Sequence, residues 1–174
     1  GPVQDKIIDC VWKESEIPVA ADKKTITKKE FVFCATMTIS NEYIISIPGS
    51  KLSCLPNVKL QYDASKPRGQ YDGFQIPQSV KDVSIEGCTF EGGFKAGVRN
   101  SGEGTKLTKN SFLTNEVGVY EMDTAAQGVY DESTVKNVVH KGIILEGKLG
   151  VVKKSAIESN PIGIFIGKEM TRDP

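Results

Sequence analysis

The sequence predicts an all-β chain coiled into a parallel β-solenoid, and three observations carry the prediction. Glycines stand at Gly49, Gly73, Gly97, Gly118, Gly142 and Gly163, at intervals of 24, 24, 21, 24 and 21 residues, and each of the last four precedes Val or Ile. Upstream of the later glycines runs a second phrase: Cys88-Thr89-Phe90, Asn110-Ser111-Phe112, Ser133-Thr134-Val135 and Ser155-Ala156-Ile157. Five residues before each apolar member stands another, at Ile85, Leu107, Tyr130 and Val152. Columns of β-branched and aromatic residues at a period of about 20 to 25 residues, punctuated by Gly, Asn and Ser, describe stacked β-rungs. Helices would need a 3.6-residue spacing.

The elements follow in order. Gly1-Pro2 reads as the scar of a removed affinity tag, so fold reasoning begins at Val3. Residues 3–30, with Trp12 and Ile17-Pro18-Val19, lack the column pattern and read as an N-terminal cap, because a bare first rung would expose unpaired backbone. Residues 31–167 read as the solenoid, about five to six rungs. Its first strands fall at Phe31 to Phe33, Met37 to Ile39, Tyr43 to Ile47 and Val58 to Leu60. Residues 63–70 are rich in turn formers and read as a projecting loop, with shorter loops at 101–104 and 123–127. Residues 168–174 form a charged tail that offers the Gly163 rung little cover. The expectation is that the natural chain continues there, with a second copy of the chain as the other way to cover that rung.

Composition narrows the function. With 174 residues and 39% hydrophobic content one narrow core is filled, and 22 basic against 22 acidic residues leave no field for nucleic acid. No apolar run approaches the roughly 20 residues that span a bilayer. The four cysteines are either two disulfides or small buried apolar groups. Counted from Gly49 and Gly73, Cys54 and Cys88 fall on different sides of their rungs, which favours the buried reading; a clamp between Cys10 and Cys34 stays open. No Cys/His spacing suggests zinc, and no cofactor is expected.

The phrase from Asn110-Ser111-Phe112 through Asn115 to Gly118-Val119 resembles the degenerate repeat of right-handed parallel β-helix proteins of the pectate-lyase-like superfamily, and Tyr43 to Leu52 is similar to the opening that precedes their first full rung. The resemblance covers about residues 40 to 167. It implies a single-stranded right-handed coil, and the absence of a strict hexapeptide repeat agrees. A polysaccharide or glycan partner and a secreted or cell-surface location are expected, but the resemblance speaks for the fold and not for these, because the fold carries lyases, hydrolases, epimerases, adhesins and binding scaffolds alike. The hydrolase signatures Asn-x-Asp, Asp-Asp, Gly-His-Gly and Arg-Ile-Lys are absent. Calcium is unsupported, because Asp63, Asp72, Asp123 and Asp131 share no column.

Stacked rungs bring each column to one place on the surface, successive members about 4.8 Å apart. Two residues before the glycines stand Tyr71, Lys95, Glu116, His140 and Pro161; two after stand Gln75, Arg99, Tyr120, Ile144 and Phe165. One reading is a carbohydrate site in which Tyr71, Tyr120 and Phe165 stack on sugar rings while Gln75, Arg99, Lys95 and Glu116 hydrogen-bond to them. A second is a lyase or uronate epimerase: Arg99 or Lys95 neutralises a carboxylate, His140 or Glu116 takes a proton, and Tyr120 donates one. A plain charge ladder, with His140 an ordinary surface residue, accounts for the same column without chemistry. A third reading is a structural or adhesive module in which a neighbour covers Ile144 and Phe165. Binding ranks first. Asn110, Asn115 and Asn160 read as corner residues that bond backbone groups.

Overall fold

The computed structural model describes residues 9–168. In chain order the strands are β1 (Cys10–Val11), β2 (Glu30–Phe33), β3 (Met37–Ile39), β4 (Tyr43–Ile44), β5 (Lys51–Cys54), β6 (Lys59–Tyr62), β7 (Phe74–Ile76), β8 (Ser84–Glu86), β9 (Thr89–Glu91) and β10 (Ala96–Asn100). They continue as β11 (Lys106–Thr108), β12 (Ser111–Leu113), β13 (Val117–Glu121), β14 (Val129–Asp131), β15 (Thr134–Lys136), β16 (Lys141–Leu145), β17 (Val151–Lys153), β18 (Ala156–Glu158) and β19 (Ile162–Ile166). From β2 onward every third strand joins the same sheet, and β1 adds to the edge of the first. The orders are β1-β2-β5-β8-β11-β14-β17, β3-β6-β9-β12-β15-β18 and β4-β7-β10-β13-β16-β19. The result is a right-handed parallel solenoid of about six to seven turns, close to the five to six expected.

The columns read in the sequence are the inward-facing ladders. Phe31, Leu52, Ile85, Leu107, Tyr130 and Val152 stack in the first sheet. Met37, Leu60, Phe90, Phe112, Val135 and Ile157 stack in the second. Phe90 and Phe112 lie face to face, their centroids 5.2 Å apart, a geometry worth about 0.5–1.5 kcal/mol beyond the area buried. The corner asparagines do what their position requires: Asn115 accepts from the N–H groups of Gly93 and Phe94 and donates to Phe90 O, and Asn110 and Asn160 bond the backbone one turn back in the same way.

Gly73, Gly97, Gly118, Gly142 and Gly163 form one column because the chain there passes too close to the next turn for a side chain. A Cβ on Gly118 would lie 2.5 Å from Gly142 O and 2.8 Å from Val135 Cγ1. Gly49 does not belong to this column. Tyr43 pairs with Phe74, so Glu42 occupies the place of Gly73 one turn earlier, while Gly49 sits at a corner and donates its N–H to Lys81 O. The same corner ends β4 at Ile44, short of the expected Ile47.

The misplaced glycine also explains the cysteines, whose buried, unpaired reading the structure overturns. Ser53 pairs with Glu86, so Cys54 lies level with Gly87 and beside Cys88; the two form a disulfide with Cα atoms 5.0 Å apart. Cys10 and Cys34 form a second, which ties β1 to the end of β2.

The cap covers the N-terminal end of the core, where its Val11, Ile17 and Ile26 are buried. β1 pairs with β2. Residues 24–26 run along β4, with Ile44 N–H donating to Lys24 O and Ile26 N–H to Ile44 O, both at 2.9 Å. The Glu14 carboxylate accepts from Ser40 N–H, the Ser40 hydroxyl and the Tyr43 hydroxyl at 2.6 to 2.7 Å, at the end of β3.

Candidate functional site

Five of the predicted residues meet on the outer face of the β7-β10-β13-β16 sheet. Parallel pairing of β10 with β13 and of β13 with β16 puts Ala96 beside Val117, Val117 beside Lys141, and Arg99 beside Tyr120. Lys95, Glu116 and His140 therefore lie on successive turns at the corner that leads into these strands. Together with Arg99, Tyr120, Val117, Arg68 and Gly69 they line a depression of about 270 Å³.

Its polar groups form two tiers. In the first, Arg99 is fixed from below and above. Its Nε donates to Asp72 Oδ2 at 2.7 Å, and its guanidinium lies 4.8 Å from the Tyr120 ring centroid. The Asp72 side chain is 3% exposed and also accepts from Gln75 Nε2 and Ala96 N–H, so every contact that holds it also orients Arg99. Tyr120 donates its hydroxyl to Glu146 Oε2 at 2.7 Å. The ring is thus pinned at one face by a cation and at its tip by a carboxylate, which fixes its orientation.

The second tier comes from the projecting loop. Tyr62 anchors it, donating to Pro67 O and accepting from Gln70 N–H. Arg68 then reaches back over two turns to Thr114 O and to Glu116 Oε2, 3.2 Å away. Gly69, at φ 73°, lets the loop lie against Glu116, since a Cβ there would come within 2.9 Å of Glu116 Cγ. Lys95 and His140 stand exposed at the rim.

Other predicted residues lie elsewhere. Tyr71 is 8% exposed and belongs to the core, not to a sugar-stacking surface: the chain turns inward at the corner before Gly73, where Tyr71 stacks on Tyr62 at 4.6 Å and donates to Ile39 O. Ile144 faces outward as expected but is 2% exposed, because Tyr120 and Phe165 close over it with Ala96 and Val117. Phe165 is half-buried, 5.1 Å from Lys141 Nζ, and Gln75 is occupied by Asp72. Arg68, Asp72 and Glu146 are the residues that sequence reasoning missed. Arg68 and Glu146 come from loops, where column spacing carries no information. Asp72, one residue before Gly73, lies outside the two columns read for chemistry.

Two of the charged groups are already paired. Arg99 is neutralised by Asp72 and Glu116 is bridged to Arg68, which leaves the exposed Lys95 and His140 as the groups for a carboxylate clamp and a base. Larger depressions exist, of about 500 Å³ between cap and first rung, about 450 Å³ beside Gln61 and Glu91 and about 340 Å³ beside Lys51 and Glu86, but none of them gathers the predicted columns. Among the described residues no three His, Cys, Asp or Glu side chains are grouped to hold a metal, and no helix is long and apolar enough to cross a membrane. No protein-family model, no curated protein and no solved structure matches this chain, so the parallel β-solenoid rests on its own geometry.

Proposed function

We propose that the chain is a carbohydrate-binding module that takes an extended polysaccharide or glycan across the depression formed by Arg68, Lys95, Arg99, Glu116, Tyr120 and His140. The observation that carries this is the Tyr120 ring, held between the Arg99 guanidinium and the Glu146 carboxylate. Around it stand cationic and anionic hydrogen-bonding groups at a spacing of one strand. A sugar packs its apolar edge against the exposed part of such a fixed ring while its hydroxyls meet the charged groups around it. The likeness of the rungs to pectate-lyase-like proteins supports a saccharide ligand by analogy of fold alone. Two disulfides suit an oxidising compartment, which agrees with a secreted or cell-surface protein.

The test is a thermal-shift screen against neutral and acidic polysaccharides with wild-type, Lys95→Ala and Tyr120→Ala proteins, with ultraviolet absorbance read at the end. A shift seen with wild type and lost in both variants supports the reading. No shift with any polymer sinks it. A rise in absorbance turns the binder into a lyase.

A further inference from the structure

We propose that Glu121 is a positioning residue of the site on β10 and β13: from inside the core it holds Glu146, and through Glu146 it sets the ring of Tyr120. Its bearing on a saccharide rests on the function proposed above, whereas its bearing on the ring does not.

The residue three after each column glycine belongs to one ladder: Ile76, Asn100, Glu121, Leu145 and Ile166, paired strand to strand. Ile76 and Leu145 pack with the apolar core, so the turns on either side fill this position with an aliphatic side chain. Asn100 and Glu121 are nevertheless polar and fully buried. Glu121 accepts from the Tyr130 hydroxyl at 2.7 Å and from Gly147 N–H at 3.2 Å, and among the described residues no cationic side chain pairs with it. Tyr130 accepts in turn from Asn100 Nδ2 at 3.0 Å. A carboxylate buried without a cation costs stability that Ile or Leu at the same place would not. A polar group kept at that cost, where the fold itself takes an aliphatic residue, points to a task.

The place of these residues identifies the task. Asn100 follows Arg99 and Glu121 follows Tyr120, so the polar members of the ladder lie directly behind the stacked pair. Glu121 then grips the next turn twice: its carbonyl accepts from Glu146 N–H at 3.1 Å and its carboxylate from Gly147 N–H. Residues 147–150 lie so close over the carboxylate that a Cβ on Gly150 would come within 2.8 Å of Oε2. Glu146, fixed on its C-terminal side in this way, accepts the Tyr120 hydroxyl at 2.7 Å. An aliphatic side chain at position 121 would keep the backbone bond to Glu146 and lose the one to Gly147, and the ring would lose the support that fixes its tip.

Amide and aromatic NMR spectra of the 174-residue protein test this beside Glu121→Leu, Glu121→Asp and Glu121→Gln, with Tyr120 assigned through Tyr120→Phe. Leucine, the residue of the next turn, removes the acceptor. Aspartate withdraws it by one methylene and decides the matter should the leucine protein fail to fold. Glutamine keeps an acceptor within reach of Gly147. The expected result is that the Tyr120 ring and Gly147 amide signals move together in the Leu and Asp proteins and hold in the Gln protein, while those of Phe90 and Phe112, on another sheet, hold in all three. A polymer that wild type binds should bind the Leu and Asp proteins about tenfold more weakly and the Gln protein unchanged. Unmoved Tyr120 signals in a folded Leu or Asp protein overturn the proposal. So do glutamine shifts as large as those of leucine, and so does a ring that moves without weakening the binding of such a polymer. If no polymer binds wild type, the saccharide reading falls alone and the ring signals still decide the role of Glu121.

Discussion

Replacing both Cys54 and Cys88 by Ala should destabilise the fold by about 4 kcal/mol. The bridge closes a sequence separation of 34 residues, and the entropy of that closure in the unfolded chain, −2.1 − 1.5R ln n, comes to about 3.8 kcal/mol at 25 °C. The side-chain loss adds little, because a cysteine exceeds alanine by one sulfur. For a chain of this length the change lowers the thermal midpoint by about 8–16 °C. Calorimetry and guanidinium titration of wild type and double variant, each with and without reductant, measure it. Reductant should bring the wild type down to the variant at this bridge while leaving the variant with only the Cys10–Cys34 effect. That second bridge closes a separation of 24 residues and by the same relation contributes about 3.5 kcal/mol. A double variant within about 1 kcal/mol of wild type would refute the pairing, and with it the register that sets Ser53 against Glu86.

Gly118→Ala should cost about 1–3 kcal/mol or more in denaturant unfolding, because the new methyl meets Gly142 O at 2.5 Å, whereas Gly163→Ala, which meets only Ile157 Cγ2 at 3.3 Å, should stay within about 0.5 kcal/mol; equal costs would contradict the stacked glycine column. Asn115→Ala leaves the buried N–H groups of Gly93 and Phe94 without their acceptor and should cost about 2–4 kcal/mol, measured the same way, with a loss under about 1 kcal/mol arguing against the ladder. Glu121 is fully buried, its partners are the neutral Tyr130 hydroxyl and Gly147 N–H, and burial raises its carboxyl above the usual 4.5. The unfolded chain therefore gives up this proton first, so its contribution to stability is full below about pH 4.5 and is lost as pH rises through the folded value. Glu121→Gln should flatten that fall in a pH series of unfolding midpoints, and an unchanged slope would show that Glu121 is not its source.

The sequence disclosed the fold where spacing and sterics coincide. From Gly73 onward the turns repeat a bare Cα against the next backbone and an apolar residue five before the next apolar one, with corner amides at Asn110, Asn115 and Asn160, and these demands leave visible columns. Before Gly73 the demand relaxes. Glu42 stands in the glycine column, the corner Gly49 falls 24 residues before Gly73 by coincidence, and counting from it sets Cys54 and Cys88 apart although they pair. The site was legible to the extent that it is made of columns, since pairing register carries Lys95, Glu116 and His140, or Arg99 and Tyr120, to one place. Tyr71 shows the limit of that rule: at a corner the chain turns, and a residue in an outward column on paper points into the core. Arg68 and Glu146 needed the loops in three dimensions.

The most direct test of the binding site is a titration of isotope-labelled protein with an oligosaccharide cut from the polymer that gives the largest thermal shift, followed by amide chemical shifts. The account predicts perturbations clustered at residues 95–99, 116–120 and 140–141, in the register of β10, β13 and β16, with Arg68 among them. Perturbations confined to another face of the solenoid, or none at saturating ligand, would contradict it.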